Sequence, residues 1–111
     1  MAELRVSPEA ANDLREIRQY ITTQLDAPAA AQKLVSRILK SIRRLADFPE
    51  SGLSLSPALN IDTDYRVQVC RNYLTFYRLE KQTVYIVRVL YGKRDYMKLL
   101  FGKQTPQKSD N

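Results

Sequence analysis

Three consecutive strand-like segments in the C-terminal half limit the possible folds more than any other feature of the sequence. Residues 65–70 alternate between polar and apolar side chains, residues 73–79 are rich in aromatic rings, and residues 83–91 are almost entirely β-branched or apolar. The segments are separated by two and three residues, which is hairpin length, so we expect them to pair antiparallel as a meander. The third segment is apolar on both faces and should therefore lie inside the sheet.

The N-terminal half predicts one strand followed by a helix. Residues 4–6 are a short strand candidate, and Ser7, Pro8 and Glu9 combine an N-cap serine, a proline at the first helical position and an acidic first turn. Apolar residues then recur at helical spacing, and polar residues lie off this stripe. The stripe comprises Ala10, Leu14, Ile17, Ile21 and Leu25, and the polar residues off it include Asp13, Glu16 and Arg18.

A second helix begins at Pro28, because proline cannot continue the hydrogen-bond pattern of the first helix. Its apolar stripe comprises Ala31, Leu34, Val35, Ile38, Ile42 and Leu45, and its cations lie mostly off that stripe at Lys33, Arg37, Lys40, Arg43 and Arg44. We interpret Arg43 and Arg44 as charges that offset the negative end of the helix dipole. The short break between the helices predicts an antiparallel hairpin packed on one face of the sheet.

The remaining segments complete a single domain. Residues 53–63 predict an irregular loop whose apolar residues hold it against the core; these are Leu53, Leu55, Leu59 and Ile61. A length of 111 residues fits one domain, which we place at residues 1–103, and we expect the polar residues 104–111 to form a disordered tail. The predicted fold class is α+β, with an N-terminal strand, an antiparallel two-helix hairpin and a mainly antiparallel sheet that ends in a three-strand meander.

Residue types that the chain lacks exclude several kinds of chemistry. It contains no histidine and one cysteine, Cys70, which excludes an internal disulfide, a multi-cysteine zinc site and catalysis by a histidine of this chain. We therefore expect neither a metal nor a cofactor, and any catalysis must use Arg, Lys, Tyr, Asp or Glu. The longest apolar runs are far below the roughly 20 residues of a membrane span, and the start lacks a signal peptide, so we expect a cytoplasmic protein with no membrane contact.

The excess of positive charge belongs to the strand half. Residues 61–111 hold ten Lys and Arg against five Asp and Glu, whereas residues 1–60 hold eight against seven. Tyrosines are interleaved with the cations of the strands. This composition suits contact with phosphate backbones and stacked bases, or with an acidic protein. The alternative is that the charge only promotes solubility and the tyrosines fill the core.

Three local motifs occur in an order and spacing that resembles the RelE/ParE superfamily of bacterial type II toxins. They are residues 7–10 (SPEA), 73–78 (YLTFYR) and 87–95 (VRVLYGKRD), and the resemblance extends over residues 3–102. It implies a toxin that arrests bacterial growth and a cognate acidic antitoxin that neutralises it. We expect the antitoxin segment to fold as it binds to edge strands and to the groove between helices and sheet.

The resemblance implies two alternative modes of action. RelE-like toxins enter the ribosome and cut mRNA with basic residues and a terminal tyrosine, whereas ParE-like toxins poison DNA gyrase and are not nucleases. Arg66 and Arg94 match two basic positions of the nucleases, but three further positions are occupied by Gln68, Leu74 and Leu100. This loss favours the ParE-like mode. The alternatives are a RelE-like ribosome-dependent endonuclease and a non-toxic module that binds nucleic acid or another partner through its basic surface.

The candidate site residues follow from these modes. If the chain is a nuclease, its catalytic residues are Arg66, Arg94 and Tyr96. Tyr96 is the candidate proton carrier, with Tyr73 as a second candidate, because arginine stays protonated. The residues expected to contact the target, either gyrase or the ribosome with mRNA, are Arg66, Arg88, Lys93, Arg94 and Lys98.

Arg88 has two interpretations, since it lies in an otherwise apolar strand. On a core-facing side it needs an acidic partner such as Glu80 or Asp95, and on an open face it joins Arg66 in a basic patch. Asp95 itself most simply anchors the turn that follows the strand.

Overall fold

A five-stranded sheet with the strand order β1-β5-β4-β3-β2 forms the centre of the molecule in a computed structural model. The structure describes residues 1–59, 62–94 and 96–101, without the side chains of residues 58, 59, 96 and 97. The strands are β1 (Glu3–Val6), β2 (Leu53–Ser54), β3 (Tyr65–Cys70), β4 (Tyr73–Glu80) and β5 (Thr83–Tyr91). The helices are α1 (Pro8–Thr23), α2 (Pro28–Arg44), α3 (Leu55–Leu59) and α4 (Tyr96–Phe101). No helix among the described residues is long and apolar enough to cross a lipid bilayer.

The expected α+β class and the meander are confirmed. Strands β3, β4 and β5 pair antiparallel in sequence order, and β5 lies inside the sheet because β1 pairs with it in parallel on its other side. The second turn contains two residues, Lys81 and Gln82, since Glu80 continues β4 by pairing with Thr83. The helical hairpin carries the chain from β1 to β2 at the opposite edge of the sheet, and β3 and β4 lead back to β5 beside β1.

Helix α1 begins as the sequence predicts and ends at Thr23, two residues before the end of the predicted stripe. The Ser7 hydroxyl accepts a hydrogen bond from the Ala10 amide at 2.9 Å and donates one to the Val87 carbonyl at 2.8 Å, which ties the helix start to β5. Asp26 adopts a left-handed conformation with φ 51°, which ends the helical path before Pro28 opens α2. Leu25 therefore lies outside the helix and is 57% exposed, contrary to its predicted place in the apolar stripe.

Apolar clusters lie on both faces of the sheet. The helical hairpin covers one face, as predicted, and its cluster includes Ala10, Ile17, Ile38 and Ile42 from the helices with Tyr77, Val84, Ile86 and Val89 from the strands. The opposite face, which we call the outer face, carries a smaller cluster of Leu55, Val67, Phe76 and Leu90, packed against Tyr65, Leu74, Leu99 and Leu100. The short helices α3 and α4 cover this second cluster.

The prediction of an irregular loop over residues 53–63 is wrong for its first part. Leu53 and Ser54 pair with Val67 and Arg66 as strand β2, and α3 follows immediately. Leu55 is buried as expected, whereas Leu53 is 69% exposed because it lies on the edge strand. The Leu59 side chain, Ile61 and the predicted tail at residues 104–111 lie outside the described part of the chain.

Candidate functional site

Arg88 has an acidic partner that the sequence analysis did not identify. Its Nε donates to Asp13 Oδ2 at 2.7 Å and its Nη2 donates to Asp13 Oδ1 at 2.9 Å, and the Val89 amide donates to the same carboxylate at 2.9 Å. The suggested partner Glu80 was therefore wrong, and Asp95, the other suggestion, lies outside the described residues. The placement of Asp13 off the buried stripe was also wrong, because Asp13 is 5% exposed. Hydrogen bonding to Asp13 raises the pKa of Arg88.

A β-bulge explains why the consecutive residues Arg88 and Val89 both face helix α1. Tyr77 pairs with Ile86 and Phe76 pairs with Arg88, which leaves Val87 as an extra residue in β5. A bulge turns the following side chain relative to the regular alternation of a strand. Val84 and Ile86 face the helices, so regular alternation already places Arg88 on the same face. The bulge then brings Val89 to that face and places Leu90 on the outer face.

Arg66 lies against the segment that follows α2. Its Nη1 donates to the Gly52 carbonyl at 2.8 Å and to the Glu50 carbonyl at 3.2 Å. Tyr77, which is fully buried, binds the same segment: its hydroxyl donates to the Pro49 carbonyl at 2.8 Å and accepts from the Gly52 amide at 2.9 Å. Burial raises the pKa of Tyr77 above its ordinary value of 10.0. Arg66 and Tyr77 thus hold residues 49–52 against the sheet.

The two arginines proposed for nuclease activity lie toward opposite ends of the sheet. Arg66 is the second residue of β3, whereas Arg94 follows the end of β5, where Tyr91 pairs with Tyr73 and Tyr73 with Cys70. Arg66 and Cys70 are four positions apart on β3, which corresponds to roughly 13 Å along the strand at about 3.3 Å per residue. Because carbonyls also hold the Arg66 guanidinium, the fold does not bring the two charges to one phosphate.

Lys93 and Arg94 lie in an exposed turn beside the first hairpin. The Gly92 amide donates to the Asn72 carbonyl at 2.8 Å, which joins this turn to the tip of the β3–β4 hairpin. Arg71 in that tip has φ 57° and lines a cleft of about 270 Å³ together with Lys93. Arg71 is not among the predicted site residues. Its position in the two-residue turn between β3 and β4, beside the end of β5, is the signal that could have identified it.

Leucines occupy the outer face at two positions where the RelE-like nucleases have an arginine and a tyrosine. Leu74 on β4 and Leu100 on α4 both pack against the cluster that contains Phe76 and Leu90. The ring of Phe101 contacts the ring of Tyr65, with centroids 5.3 Å apart. At the third such position, the Oε1 atom of Gln68 is buried. Lys98 is exposed on α4, and the Tyr96 side chain and Asp95 lie outside the described part of the chain.

A groove of about 700 Å³ separates α1 from the end of the sheet that carries Arg94. The residues that line it include the apolar Ile17, Ile21, Leu34 and Val89, the aromatic Tyr20, Tyr73 and Tyr91, and the charged Glu16 and Arg94. The Tyr73 and Tyr91 rings are 5.6 Å apart, and burial raises the pKa of Tyr73 above 10.0. Tyr20, which also lines the groove, is 54% exposed, so part of the apolar surface of the groove is uncovered.

The described part of the chain contains no group of side chains that could bind a metal ion. No three His, Cys, Asp or Glu side chains lie there in a group able to hold a metal ion. The cations of the site, in contrast, are suited to anionic groups, and the groove is suited to an apolar segment.

The fold and the family follow from comparison with known proteins. A protein of the chromosomal ParDE TA system from P. aeruginosa is 20% identical, with a TM-score of 0.68 over 82% of this chain and 96% of that one. YafQ from E. coli strain BL21(DE3) is 15% identical, with a TM-score of 0.47 over 92% and 100% of the respective chains. No curated protein matches the sequence. The family model of the ParE toxin of the type II toxin-antitoxin system parDE matches residues 4–96. The chain therefore belongs to the ParE toxin family within the RelE/ParE superfamily, and it is the toxin of a type II toxin–antitoxin system.

Proposed function

We propose that this toxin arrests growth by poisoning DNA gyrase and that it does not cleave RNA. The observation that supports this most strongly is the apolar packing of Leu74 and Leu100 on the outer face. A nuclease of the RelE-like type would need a cation and a proton carrier at these positions. Leucine supplies neither, and both side chains contribute to a hydrophobic cluster.

The placement of the remaining arginines supports the same proposal. Cleavage through a ribose 2′-hydroxyl needs a group that takes the proton, cations that hold the phosphate and an acid for the leaving oxygen. Arg66 is engaged by the Glu50 and Gly52 carbonyls, and Arg94 lies near the other end of the sheet. Arginine also stays protonated and is a poor proton carrier.

Three exposed cations are the best candidates for contact with the target. Lys93 and Arg94 are exposed in the turn after β5, and Lys98 follows on α4. Arg66 and Arg88 differ from Lys93 and Arg94, because the Arg66 and Arg88 side chains are only partly exposed and are bound to groups of this chain. We propose that Lys93, Arg94 and Lys98 contact gyrase, and that Arg66 and Arg88 act by holding the fold that presents them.

Two assays on the purified toxin test the proposal. One measures supercoiling of relaxed plasmid by gyrase, and the other measures the integrity of mRNA on translating ribosomes. We expect inhibited supercoiling and intact mRNA. Arg94→Gln should weaken the inhibition, whereas the matched control Arg5→Gln, which removes an equal charge from an exposed site on β1, should leave it unchanged. Cut mRNA with unaffected supercoiling would refute the proposal.

We further propose that the groove between α1 and the sheet holds a segment of the antitoxin. An amphipathic segment would cover Ile17, Tyr20 and Leu25 with its apolar side, and an acidic residue would meet Arg94, which also lines the groove. The volume of about 700 Å³ lies within the usual range for binding clefts of roughly 300–1,000 Å³. The net charge of +6 favours an acidic partner.

A further inference from the structure

Helix α2 presents a row of cations to solvent. Lys33, Arg37, Lys40 and Arg44 follow one another at intervals of four, three and four residues, which places them on one face of the helix. All four are exposed, and Arg43 is exposed beside them. The helix contains no Asp or Glu. We call the four aligned residues the α2 basic row.

The basic row is not explained by the stability of the helix. Positive charges near the C-terminal end offset the dipole, which accounts for Arg43 and Arg44. Lys33, Arg37 and Lys40 lie outside the last turn, to which this effect is confined, so the dipole does not account for them. Like charges four residues apart also repel each other, at a cost of about 0.2–0.5 kcal/mol per pair.

The basic row also lies on a helix that carries positive charges only, whereas the acidic residues of the N-terminal half lie on other segments. Five of the eight Lys and Arg in residues 1–60 lie on α2, whereas all seven Asp and Glu of that half lie outside it. The neighbouring helix α1 carries mixed charges, with Glu9, Asp13 and Glu16 beside Arg15 and Arg18. Among the described residues, the ion pairs involve Arg5, Arg78 and Arg88, and none involves a cation of α2. The small net charge of the N-terminal half thus conceals a strongly basic surface.

We propose that the α2 basic row is a binding site for the phosphate backbone of a nucleic-acid duplex. From Lys33 to Arg44 the row extends over roughly 16 Å, at about 1.5 Å per residue. Duplex DNA carries about one negative charge per 1.7 Å of axis, so a row of this length faces several phosphates. Lys and Arg side chains, with polar neighbours such as Gln32 and Ser36, are the usual donors to phosphate oxygens.

The exposed residues around the row favour a duplex over other polyanions. From residue 32 onward, the exposed positions of α2 are all basic, Gln or Ser. Protein partners usually require apolar or aromatic anchors at the centre of an interface, and single strands usually require aromatic side chains that stack on bases. The row offers neither kind of anchor. A duplex backbone needs only positive charge and hydrogen-bond donors.

This site is independent of the contacts proposed for gyrase. Lys93 and Arg94 lie in the turn after β5, whereas the basic row faces solvent on the helical layer. The row therefore adds a second contact, to duplex nucleic acid in general and without sequence preference, because phosphate contacts carry no direct sequence information. Loss of this contact would not by itself show that the gyrase proposal is wrong.

Fluorescence anisotropy with a labelled 20-base-pair DNA duplex tests the proposal on the full-length protein. The test variant carries Lys33→Gln, Arg37→Gln, Lys40→Gln and Arg44→Gln. The control variant carries Arg5→Gln, Arg15→Gln, Arg18→Gln and Lys81→Gln, all at exposed positions off α2. Each variant removes four positive charges from the net charge of +6, so the two differ in where the charge is lost and not in how much.

We expect the test variant to bind at least about tenfold more weakly than the control variant at 0.1 M salt. The plot of log K against log salt should become shallower by about 3.6, or about 0.9 for each lost phosphate contact. The single variant Arg37→Gln should lower the slope by about 0.9. The thermal unfolding temperature of the test variant should stay close to that of the wild type, because the removal of like-charge repulsion offsets the loss of Arg44 at the C-terminal end of the helix.

Three results would overturn the proposal. Equal loss of binding in the test and control variants would show that net charge alone attracts the duplex. Tighter binding of a polyglutamate chain than of the duplex would identify an acidic protein as the occupant, and tighter binding of single-stranded RNA would identify a single strand. A duplex RNA of the same length, run in parallel, determines whether both duplex forms bind.

Discussion

Arg88 on β5 and Asp13 on α1 form a two-point ion pair that joins the helical layer to the centre of the sheet. The Asp13 side chain is 6% exposed and that of Arg88 is 20% exposed, so both charges are largely removed from water. The Val89 amide adds a third hydrogen bond to the carboxylate. A buried charge is tolerated when it is paired and hydrogen-bonded in this way.

Removal of one member of this pair should be costly. We expect Asp13→Ala to lower the free energy of unfolding by roughly 3–5 kcal/mol, because the Arg88 charge is left without its partner. Urea unfolding followed by circular dichroism measures the change. Glu16→Ala, at an exposed position on the same helix, is the control and should change stability by less than about 0.5 kcal/mol. Similar midpoints for the two variants would contradict the assigned role of the pair.

Gly52 should not accept a larger side chain. A Cβ atom at this position would lie 2.6 Å from the Tyr77 hydroxyl and 2.8 Å from the Val67 carbonyl. We expect Gly52→Ala to destabilise the protein by about 1–3 kcal/mol, as overpacking does. At Gly92 the nearest atom to a Cβ is the Asn72 carbonyl at 3.3 Å, so Gly92→Ala should cost less. Differential scanning calorimetry measures the melting temperatures of both variants. A lower melting temperature for Gly92→Ala than for Gly52→Ala would contradict this prediction.

The periodicity of the sequence predicted the helices and the meander because these elements depend on local spacing. Ser7, Pro8 and Glu9 specify the start of α1, and the hairpin-length gaps specify the order of β3, β4 and β5. The capping hydrogen bond of Ser7 could be predicted from the sequence in the same way, because its partner, Ala10, is only three residues away.

Contacts between distant residues were not predictable in the same way. The partner of Arg88 lies 75 residues away on α1, and local spacing does not show that the two side chains meet. Periodicity also cannot show that Leu53 pairs at a sheet edge or that Arg66 is held by backbone carbonyls. The site was therefore predicted as a set of cations, and the structure distinguishes the exposed ones from those that stabilise the fold.

Stability should fall at alkaline pH. Burial raises the pKa of Tyr73 and of Tyr77 above 10.0 in the folded protein. Above about pH 10 the unfolded chain loses these phenol protons while the folded chain keeps them, so the stabilisation that is present below pH 10 is lost as pH rises. Thermal unfolding between pH 8 and 11 measures this loss. Tyr77→Phe should show a smaller dependence on pH, and an unchanged dependence would contradict the role of Tyr77.

Leu25 should contribute to antitoxin binding. It is 57% exposed on the groove, and Leu25→Asp would place a charge where an apolar segment is proposed to pack. We expect a loss of at least about tenfold in affinity for the antitoxin encoded by the neighbouring reading frame, measured by isothermal titration calorimetry.

The matched control is Leu53→Asp, at a leucine that is 69% exposed on β2 away from the groove. It should bind the antitoxin as the wild type does. If Leu53→Asp weakens binding and Leu25→Asp does not, the antitoxin uses the sheet edge and not the groove.

Plasmid topology in living cells, measured within minutes of toxin induction, tests the mode of action most directly. Gels that resolve topoisomers report gyrase activity, and primer extension on RNA from the same cells reports mRNA cleavage. If the toxin poisons gyrase, we expect relaxed and broken plasmid together with full-length mRNA. Normally supercoiled plasmid together with mRNA cut within codons would contradict the proposed poisoning of gyrase.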